Sequence, residues 1–142
     1  MLDRGRLPRM SFLMFRGHFD HSMDKKGRTS VPARFRALLT RDAGESVIIT
    51  TGLDPCLVVY PLREWEAFEQ RLAALPTFDP SVSVLRRVYV SGAIDCAIDS
   101  LGRVLVPQSL RRHADLKKNV LWAGMGTHLE LWSPSRFDAQ RT

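Results

Sequence analysis

Two segments far apart in the chain carry apolar side chains at every second position. In residues 19–24, Phe19, His21 and Met23 alternate with aspartate and serine, and residues 94–99 repeat the pattern. A period of two with one apolar face is typical of a half-buried β-strand. The pattern therefore predicts one strand in each segment.

Each predicted strand leads into a turn, a return strand and a helix. Asp24 and Asp99 stand at the turn entrance, where a carboxylate can accept hydrogen bonds from nearby backbone amides. Gly27 and Gly102 supply the positive φ that a short hairpin loop requires. A proline five residues after each glycine ends the return strand, because proline cannot donate to a β-ladder, and helical spacing follows. The sequence thus predicts a β-hairpin feeding a short helix, twice.

These two copies form an internal repeat. The pattern D-x-x-G-R-x-x-V-P stands at 24–32 and again at 99–107, 75 positions later. Alignment of residues 15–36 with residues 90–111 gives eight identities without a gap. Such self-similarity indicates a duplicated unit, so the fold should contain two similar halves.

Further strands and helices are predicted on either side of a connecting region. The predicted strand pairs are 47–50 with 57–60, and 120–122 with 129–132. Residues 62–75 have the spacing of an amphipathic helix, and a short helix at 81–87 precedes a strand at 88–90. The predicted organisation is a first half over 16–61, connecting helices over 62–88, and a second half with a C-terminal helix over 89–142.

Two units of this size cannot each bury a hydrophobic core, so we expect them to pack on one another over residues 14–142. The predicted fold class is α+β, a β-rich pseudo-twofold unit with short flanking helices. Residues 1–13 contain three arginines and no continuous apolar stretch. That composition predicts a basic, disordered N-terminal extension rather than a signal peptide.

The repeated segments and several flanking ones resemble the MraZ family, whose members carry two SpoVT/AbrB-like halves. The matching segments are 14–17, 24–36, 57–61, 91–93, 99–107 and 131–132. The resemblance covers residues 14–142 in order and implies halves of the swapped-hairpin, double-psi type. It also places the family's D-x-x-x-R motif on Asp24 with Arg28 and on Asp99 with Arg103.

The resemblance further implies a bacterial transcriptional regulator of the cytoplasm, associated with the nucleoid. Members of the family bind short direct repeats upstream of the division and cell-wall gene cluster, including the promoter of their own gene, and assemble into rings. We therefore expect promoter DNA and further copies of the chain as partners, and no membrane, metal, cofactor or small-molecule substrate. The expected ring contacts are apolar edge strands near 120–122 or 129–132.

The charge distribution agrees with a nucleic-acid partner. The chain has 21 basic and 15 acidic residues, and residues 25–41 contain six basic residues and no acidic one. A basic balance is compatible with nucleic acid, an anionic membrane or a solvated face. The Gly-Arg pair in both turns favours nucleic acid, because arginine can bind guanine O6 and N7 and a two-stranded ribbon fits the major groove.

The expected site lies in the two turns. The expected DNA-binding residues are Arg28, Arg103, Lys25, Lys26, Gly27 and Gly102, with Asp24 and Asp99 structuring the loops. On this hypothesis the arginines enter the major groove and the lysines hold phosphates. Lys25-Lys26 is replaced by Ser100-Leu101 in the second copy, which leaves open whether both halves contact DNA equally.

Catalysis and metal binding find little support in the sequence. His18 and His21 stand three positions apart on a predicted strand, so their rings should point to opposite faces. Cys56 and Cys96 have no metal-site spacing and lie beside strand-like runs, where a thiol behaves as a small hydrophobe. The sequence contains neither a P-loop nor a nucleophile elbow. We therefore expect no enzymatic activity.

Two other functions compete with DNA binding. One is an AbrB-type antitoxin or protein-interaction module that neutralises a partner protein, and the other is a small metal-dependent enzyme. Two halves without a long tail favour the regulator over the antitoxin, and the histidine spacing does not support the enzyme. The basic region 108–118 is compatible with DNA contact or with acidic groups of a neighbouring subunit.

Overall fold

The computed structural model describes residues 14–43 and 46–141; the predicted extension at 1–13 lies outside the described residues. The strands are β1 (His18–Ser22), β2 (Arg28–Ser30), β3 (Ser46–Thr51), β4 (Leu57–Pro61), β5 (Ile94–Ala97), β6 (Arg103–Leu105), β7 (Asn119–Gly124) and β8 (Leu129–Trp132). The α-helices are α1 (Ala33–Ala43), α2 (Leu62–Ala73), α3 (Pro80–Leu85), α4 (Gln108–Ala114) and α5 (Pro134–Arg141), and Arg86–Val90 is π-helical.

The strands form one large sheet and one small ribbon. The sheet is antiparallel, in the order β1-β7-β8-β4-β3-β5, and β2 pairs with β6 in a separate two-stranded β2–β6 ribbon. Short helices flank the strands. The predicted α+β, β-rich architecture is confirmed.

The predicted hairpins form their turns, but their strands pair elsewhere. In the first copy the two arms are joined beyond the turn by the bridge between Met23 and Thr29 and by a hydrogen bond from the Thr29 hydroxyl to the Ser22 carbonyl at 2.8 Å. From there β1 pairs with β7 and β2 pairs with β6, so both arms find partners in the other half. The prediction of two self-paired hairpins is wrong in this respect. A half too small to bury its own core completes its strands with those of the other half.

The pairing has an approximate twofold symmetry. Thr29 lies opposite Val104 in the β2–β6 ribbon, and Val58 lies opposite Glu130 in the large sheet. The first pair is 75 positions apart, which is the offset of the sequence repeat. Equivalent residues therefore face one another, as strands crossing a twofold axis must.

A single main hydrophobic cluster joins the two halves. Val31, Phe35 and Leu39 from the first half and Val104 and Val106 from the second are each at most 1% exposed. Burial of a leucine or phenylalanine side chain stabilises a fold by about 1.5–3 kcal/mol. The shared core explains why the strands of the two halves stay together.

Residues 88–90 are not a strand. They lie in the π-helical segment Arg86–Val90, although their β-branched and aromatic residues favour a strand. The neighbouring β3 already pairs with β4 on one side and β5 on the other, so its edges are occupied. The segment instead accepts side-chain hydrogen bonds, from Thr50 to the Tyr89 carbonyl and from Thr51 to the Val88 carbonyl.

The strands expected to form exposed edges lie inside the sheet. β7 lies between β1 and β8, and β8 lies between β7 and β4. Val120, Trp122 and Leu129 are each 0% exposed, because both neighbours of their strands are present. The prediction of edge strands at 120–122 and 129–132 is therefore wrong, and the open edges are β1 and β5.

Across the described ranges 14–43 and 46–141, we find no helix with the length and apolar character that a bilayer crossing requires.

We predict that Gly27→Ala lowers the free energy of unfolding more than Gly17→Ala. Both glycines have positive φ, 95° and 87°, so both variants strain the backbone. A methyl at position 27 would also lie 2.7 Å from the Val106 carbonyl oxygen, whereas at position 17 the nearest atom is 3.5 Å away. We expect Gly17→Ala to lower the free energy of unfolding by about 1–3 kcal/mol through backbone strain alone, and Gly27→Ala to lower it by more.

Chemical denaturation of both variants measures this difference. Gly17→Ala is the matched control, because it carries the strain without the close approach. Equal losses for the two variants would show that the second half does not pack against the first turn as described.

Candidate nucleic-acid interface

Asp24 organises the first turn, which we define as residues 24–28. Its Oδ1 accepts hydrogen bonds from the amides of Lys26 at 3.0 Å and Arg28 at 2.9 Å. Its Oδ2 accepts from Nε of Arg28 at 2.7 Å. The Gly27 amide donates to the Asp24 carbonyl at 3.0 Å, and the Asp24 amide to the Arg28 carbonyl at 2.9 Å. The carboxylate therefore fixes both the backbone of the turn and the arginine side chain.

Asp99 builds the second turn, residues 99–103, in the same way. Its Oδ1 accepts from the amides of Leu101 at 2.9 Å and Arg103 at 2.8 Å. Its Oδ2 accepts from Nε of Arg103 at 3.0 Å, and the Gly102 amide donates to the Asp99 carbonyl at 2.9 Å. The Asp99 carboxylate therefore makes the same kinds of hydrogen bond in the second turn as Asp24 makes in the first.

The helix of each half packs against the turn of the other half. A methyl at Gly27 would lie 2.6 Å from Nε of Arg111 in α4, and one at Gly102 would lie 2.7 Å from Cζ of Arg36 in α1. Each guanidinium also donates to the carbonyl of the valine five residues before it, at 3.0 Å for Arg111 and 3.1 Å for Arg36. Glycine is required in both turns because each turn lies beneath an arginine of the other half.

The antiparallel β2–β6 ribbon joins the two turns and places one at each of its ends. Arg28 lies opposite Leu105, and Ser30 lies opposite Arg103. Thr29 and Val104, the middle residues of the two strands, face the interior, and each is 1% exposed. Because side chains alternate between the faces of a strand, the two arginines share the outward face of the ribbon.

The guanidinium groups keep donors available for a ligand. The Arg28 and Arg103 side chains are 37% and 31% exposed, and each binds its aspartate through Nε alone. Within the described residues the terminal nitrogens of both have no protein partner. Two terminal nitrogens on a planar group can bind guanine O6 and N7 together, or two phosphate oxygens.

The hydrogen bonds in each turn lower the pKa of its aspartate. For Asp24 the main cause is the backbone hydrogen bond from Arg28, followed by its side chain and the amide of Lys26. For Asp99 the backbone hydrogen bond from Arg103 is likewise the main cause of the lowered pKa. Both carboxylates therefore stay ionised at neutral pH, and both remain acceptors that orient their arginines.

The tips of the two turns differ in chemistry. Lys25 and Lys26 are exposed in the first turn, whereas Leu101 in the second turn is an exposed apolar residue. Leu105 on the ribbon is also 55% exposed. The two turns share the same backbone hydrogen bonds and aspartate–arginine pair, but the side chains exposed at their tips differ.

Other candidate groups lie apart from the turns. Cys56 and Cys96 are buried free thiols, and burial raises the pKa of Cys96 to about 11. Burial also raises the pKa of Cys56, so both thiols stay protonated and behave as small hydrophobes. His18 is exposed and His21 is half-buried, on opposite faces of β1. Within the described ranges, no three histidine, cysteine or acidic side chains are grouped for a metal ion.

Comparison with known protein families agrees with the internal duplication of the chain. The family model described as "MraZ protein, putative antitoxin-like" matches residues 14–88 and again residues 89–142. The two matches together span the whole of the described chain. The chain belongs to the MraZ family. The resemblance drawn from the repeated turns is thereby confirmed.

Close relatives of this MraZ-family chain carry a functional name. "Transcriptional regulator MraZ" of Carboxydothermus hydrogenoformans is 44% identical over 120 residues, covering 84% of this chain and 81% of the relative. The protein of the same name from Desulfitobacterium hafniense is 46% identical over the same shares. That from Desulforamulus reducens is 44% identical over 125 residues, covering 88% of this chain and 85% of the relative. The family is one of regulators and not of enzymes, as expected.

Several residues of the site were missed by sequence reasoning. Arg36 and Arg111 are identical positions of the repeat and lie in the basic stretches 25–41 and 108–118, but their packing on the opposite turns was not predicted. Leu105 gave no signal, because its exposure depends on the pairing of β2 with β6. Tertiary contacts between the halves decide all three roles.

We predict that Arg28→Ala raises the pKa of Asp24 while leaving it below the ordinary aspartate value. The variant loses the side-chain hydrogen bond but keeps the amides of Lys26 and Arg28 as donors. The pKa of Asp24 is lower in the folded protein than in the unfolded chain, where it is about 4. The ionised carboxylate therefore stabilises the fold at pH values above the unfolded pKa, and this stabilisation is lost as the pH falls through the folded pKa.

Carboxyl ¹³C NMR titration of wild type and variant measures this shift. Asp99 serves as the internal control, because its own arginine is unchanged and its titration should not move. An Asp24 that titrates at the ordinary value in the wild type would contradict the geometry of the turn.

Proposed function

We propose that the protein is a sequence-specific DNA-binding transcriptional regulator. The observation that carries the proposal is the pair of arginines, Arg28 and Arg103, on one outward face of a two-stranded ribbon. The names of the relatives support regulation of transcription. The net charge of +6 supports an anionic partner.

In the proposed complex the β2–β6 ribbon enters the major groove. That groove is about 12 Å wide and admits a two-stranded ribbon. Arg28 and Arg103 contact guanine edges through their terminal nitrogens, while Asp24 and Asp99 hold them in place through Nε. Lys25 and Lys26 contact phosphates. Gly27 and Gly102 are buried beneath Arg111 and Arg36, so their role in the proposed complex is to shape the turns that carry the contacting side chains.

Specificity in this proposal comes from several protomers on one DNA. One ribbon reads few base pairs, and linked copies that bind tandem direct repeats gain affinity through effective concentration. A head-to-tail contact that closes produces a ring. The open edges β1 and β5 replace the interior strands as the proposed ring contacts. Native mass spectrometry should give one discrete oligomer, and a monomer at all concentrations would contradict the ring.

The proposed targets are the direct repeats upstream of the division and cell-wall gene cluster, including the promoter of the protein's own gene. The proposed location is the cytoplasm, in association with the nucleoid. Membership of the MraZ family and the basic first turn support both proposals.

A protein-interaction module of the antitoxin type is the second candidate. The description of the family model as antitoxin-like favours it, and so do the exposed side chains of Leu101 and Leu105 at the second turn. An antitoxin acts through a partner protein, so this candidate predicts that DNA affinity survives the loss of Arg28.

We predict that Arg28→Ala abolishes the mobility shift of DNA from upstream of the protein's own gene, because the base-reading group is removed. Arg28→Lys should keep weak, less specific binding, since lysine retains the charge but cannot form the bidentate interaction. Removal of a bidentate arginine–guanine pair reduces discrimination by about 1–3 kcal/mol per site. Size-exclusion behaviour should stay unchanged in both variants.

A charge-matched control separates base reading from general attraction. Arg87→Ala removes an exposed arginine in the π-helical segment, away from either turn, and should shift the DNA normally. Normal binding by Arg28→Ala would overturn the proposed role of the first turn. Failure of the wild type to bind this DNA would overturn the proposed target.

A further inference from the structure

The chain has only four lysines, and the fold concentrates them at one corner. They occur as two adjacent pairs, at 25–26 in the first half and at 117–118 in the second. Lys25, Lys117 and Lys118 line one cavity of about 570 Å³, and Lys26 follows in the same turn. We call this cavity the lysine pocket. Its lining residues are Met23, Asp24, Lys25, Arg111, Leu116, Lys117 and Lys118.

Main-chain hydrogen bonds fix the lysine pocket in place. The Met23 amide donates to the Lys118 carbonyl at 2.8 Å, which joins the residue before the first turn to the segment after α4. The Leu116 amide donates to the Arg111 carbonyl at 2.9 Å, which closes the end of that helix. Met23 and Leu116 are 5% and 6% exposed, so the pocket has a packed apolar floor.

The positive charge of the pocket is not balanced by its own carboxylates. Asp24 already binds Arg28 at 2.7 Å. Lys117 has an exposed contact with Asp115 at 3.7 Å, which contributes little at that distance and exposure. For Lys25 and Lys118, the described part of the chain supplies no partner for the ammonium groups. Like charges that line one pocket repel one another, so the pocket favours an anion.

We propose that the lysine pocket binds a backbone phosphate of the duplex whose bases meet the β2–β6 ribbon. The proposal rests on the proposed DNA-binding function and extends the interface to Lys118 of the second half. Lysine suits a phosphate as a compact point charge, and the apolar floor suits the edge of a deoxyribose. The first turn is thereby anchored to the DNA backbone.

The pocket makes the two halves unequal on DNA. At the position of Lys25 the second turn has Ser100, and Leu101 follows in place of Lys26. No lysine of the chain is available to build the same pocket there. The first turn therefore holds the phosphate backbone, and the second turn meets the DNA without this anchor.

The test combines Lys25→Ala/Lys118→Ala with DNA neutralised at single phosphates. The slope of the logarithm of the binding constant against the logarithm of the salt concentration should become less steep by about one for each lysine that no longer neutralises a phosphate. In a scan of methylphosphonate-substituted duplexes from upstream of the protein's own gene, the wild type should lose affinity at the pocket phosphate. The double variant should be indifferent to neutralisation at that one position and keep the other sensitivities.

A matched double variant, Arg71→Ala/Arg87→Ala, removes two exposed cations from the connecting helices and should keep the wild-type slope and scan. An unchanged slope and scan in Lys25→Ala/Lys118→Ala would overturn the proposal. So would binding of free AMP that depends on these lysines while DNA binding does not. If the wild type fails to bind the duplex at all, the proposed function itself fails, and this is seen before any variant is compared.

Discussion

The exchange of strands between the halves is the constraint on which the rest of the structure depends. The Val31 amide donates to the Gly102 carbonyl at 2.9 Å, and the Val106 amide donates to the Gly27 carbonyl at 2.8 Å. Each half thus holds the turn of the other through its backbone. Because both turns emerge from this one ribbon, Arg28 and Arg103 share a face.

The same constraint explains why exposed ion pairs can serve a site. An exposed arginine–aspartate pair contributes too little to stability to position a loop by itself, because solvent screens the charges. Here the main-chain hydrogen bonds and the helix packed over each glycine position the loop, and Asp24 only has to orient Arg28. The fold therefore holds the loop in place, and the aspartate orients the arginine side chain. This division leaves the terminal guanidinium nitrogens available for a ligand.

The turns were predictable from sequence because their chemistry is local. Aspartate, glycine and arginine within five residues determine the hydrogen bonds of residues 24–28 without help from distant segments. The partners of β2 and β6 were not predictable, since strands of three residues carry too little pattern to fix a register. The π-helical segment and the lysine pocket also depend on neighbours distant in sequence, and residue periodicity does not report them.

Hydrogen–deuterium exchange of the full-length protein, with and without DNA from upstream of its own gene, tests the shared ribbon most directly. We expect the amides of Val31 and Val106 to be strongly protected in the free protein, because they bridge the halves. DNA should then add protection in peptides over 24–30 and 99–105 together. Rapid exchange at Val31 and Val106, or DNA protection confined to the connecting helices over 62–90, would contradict it.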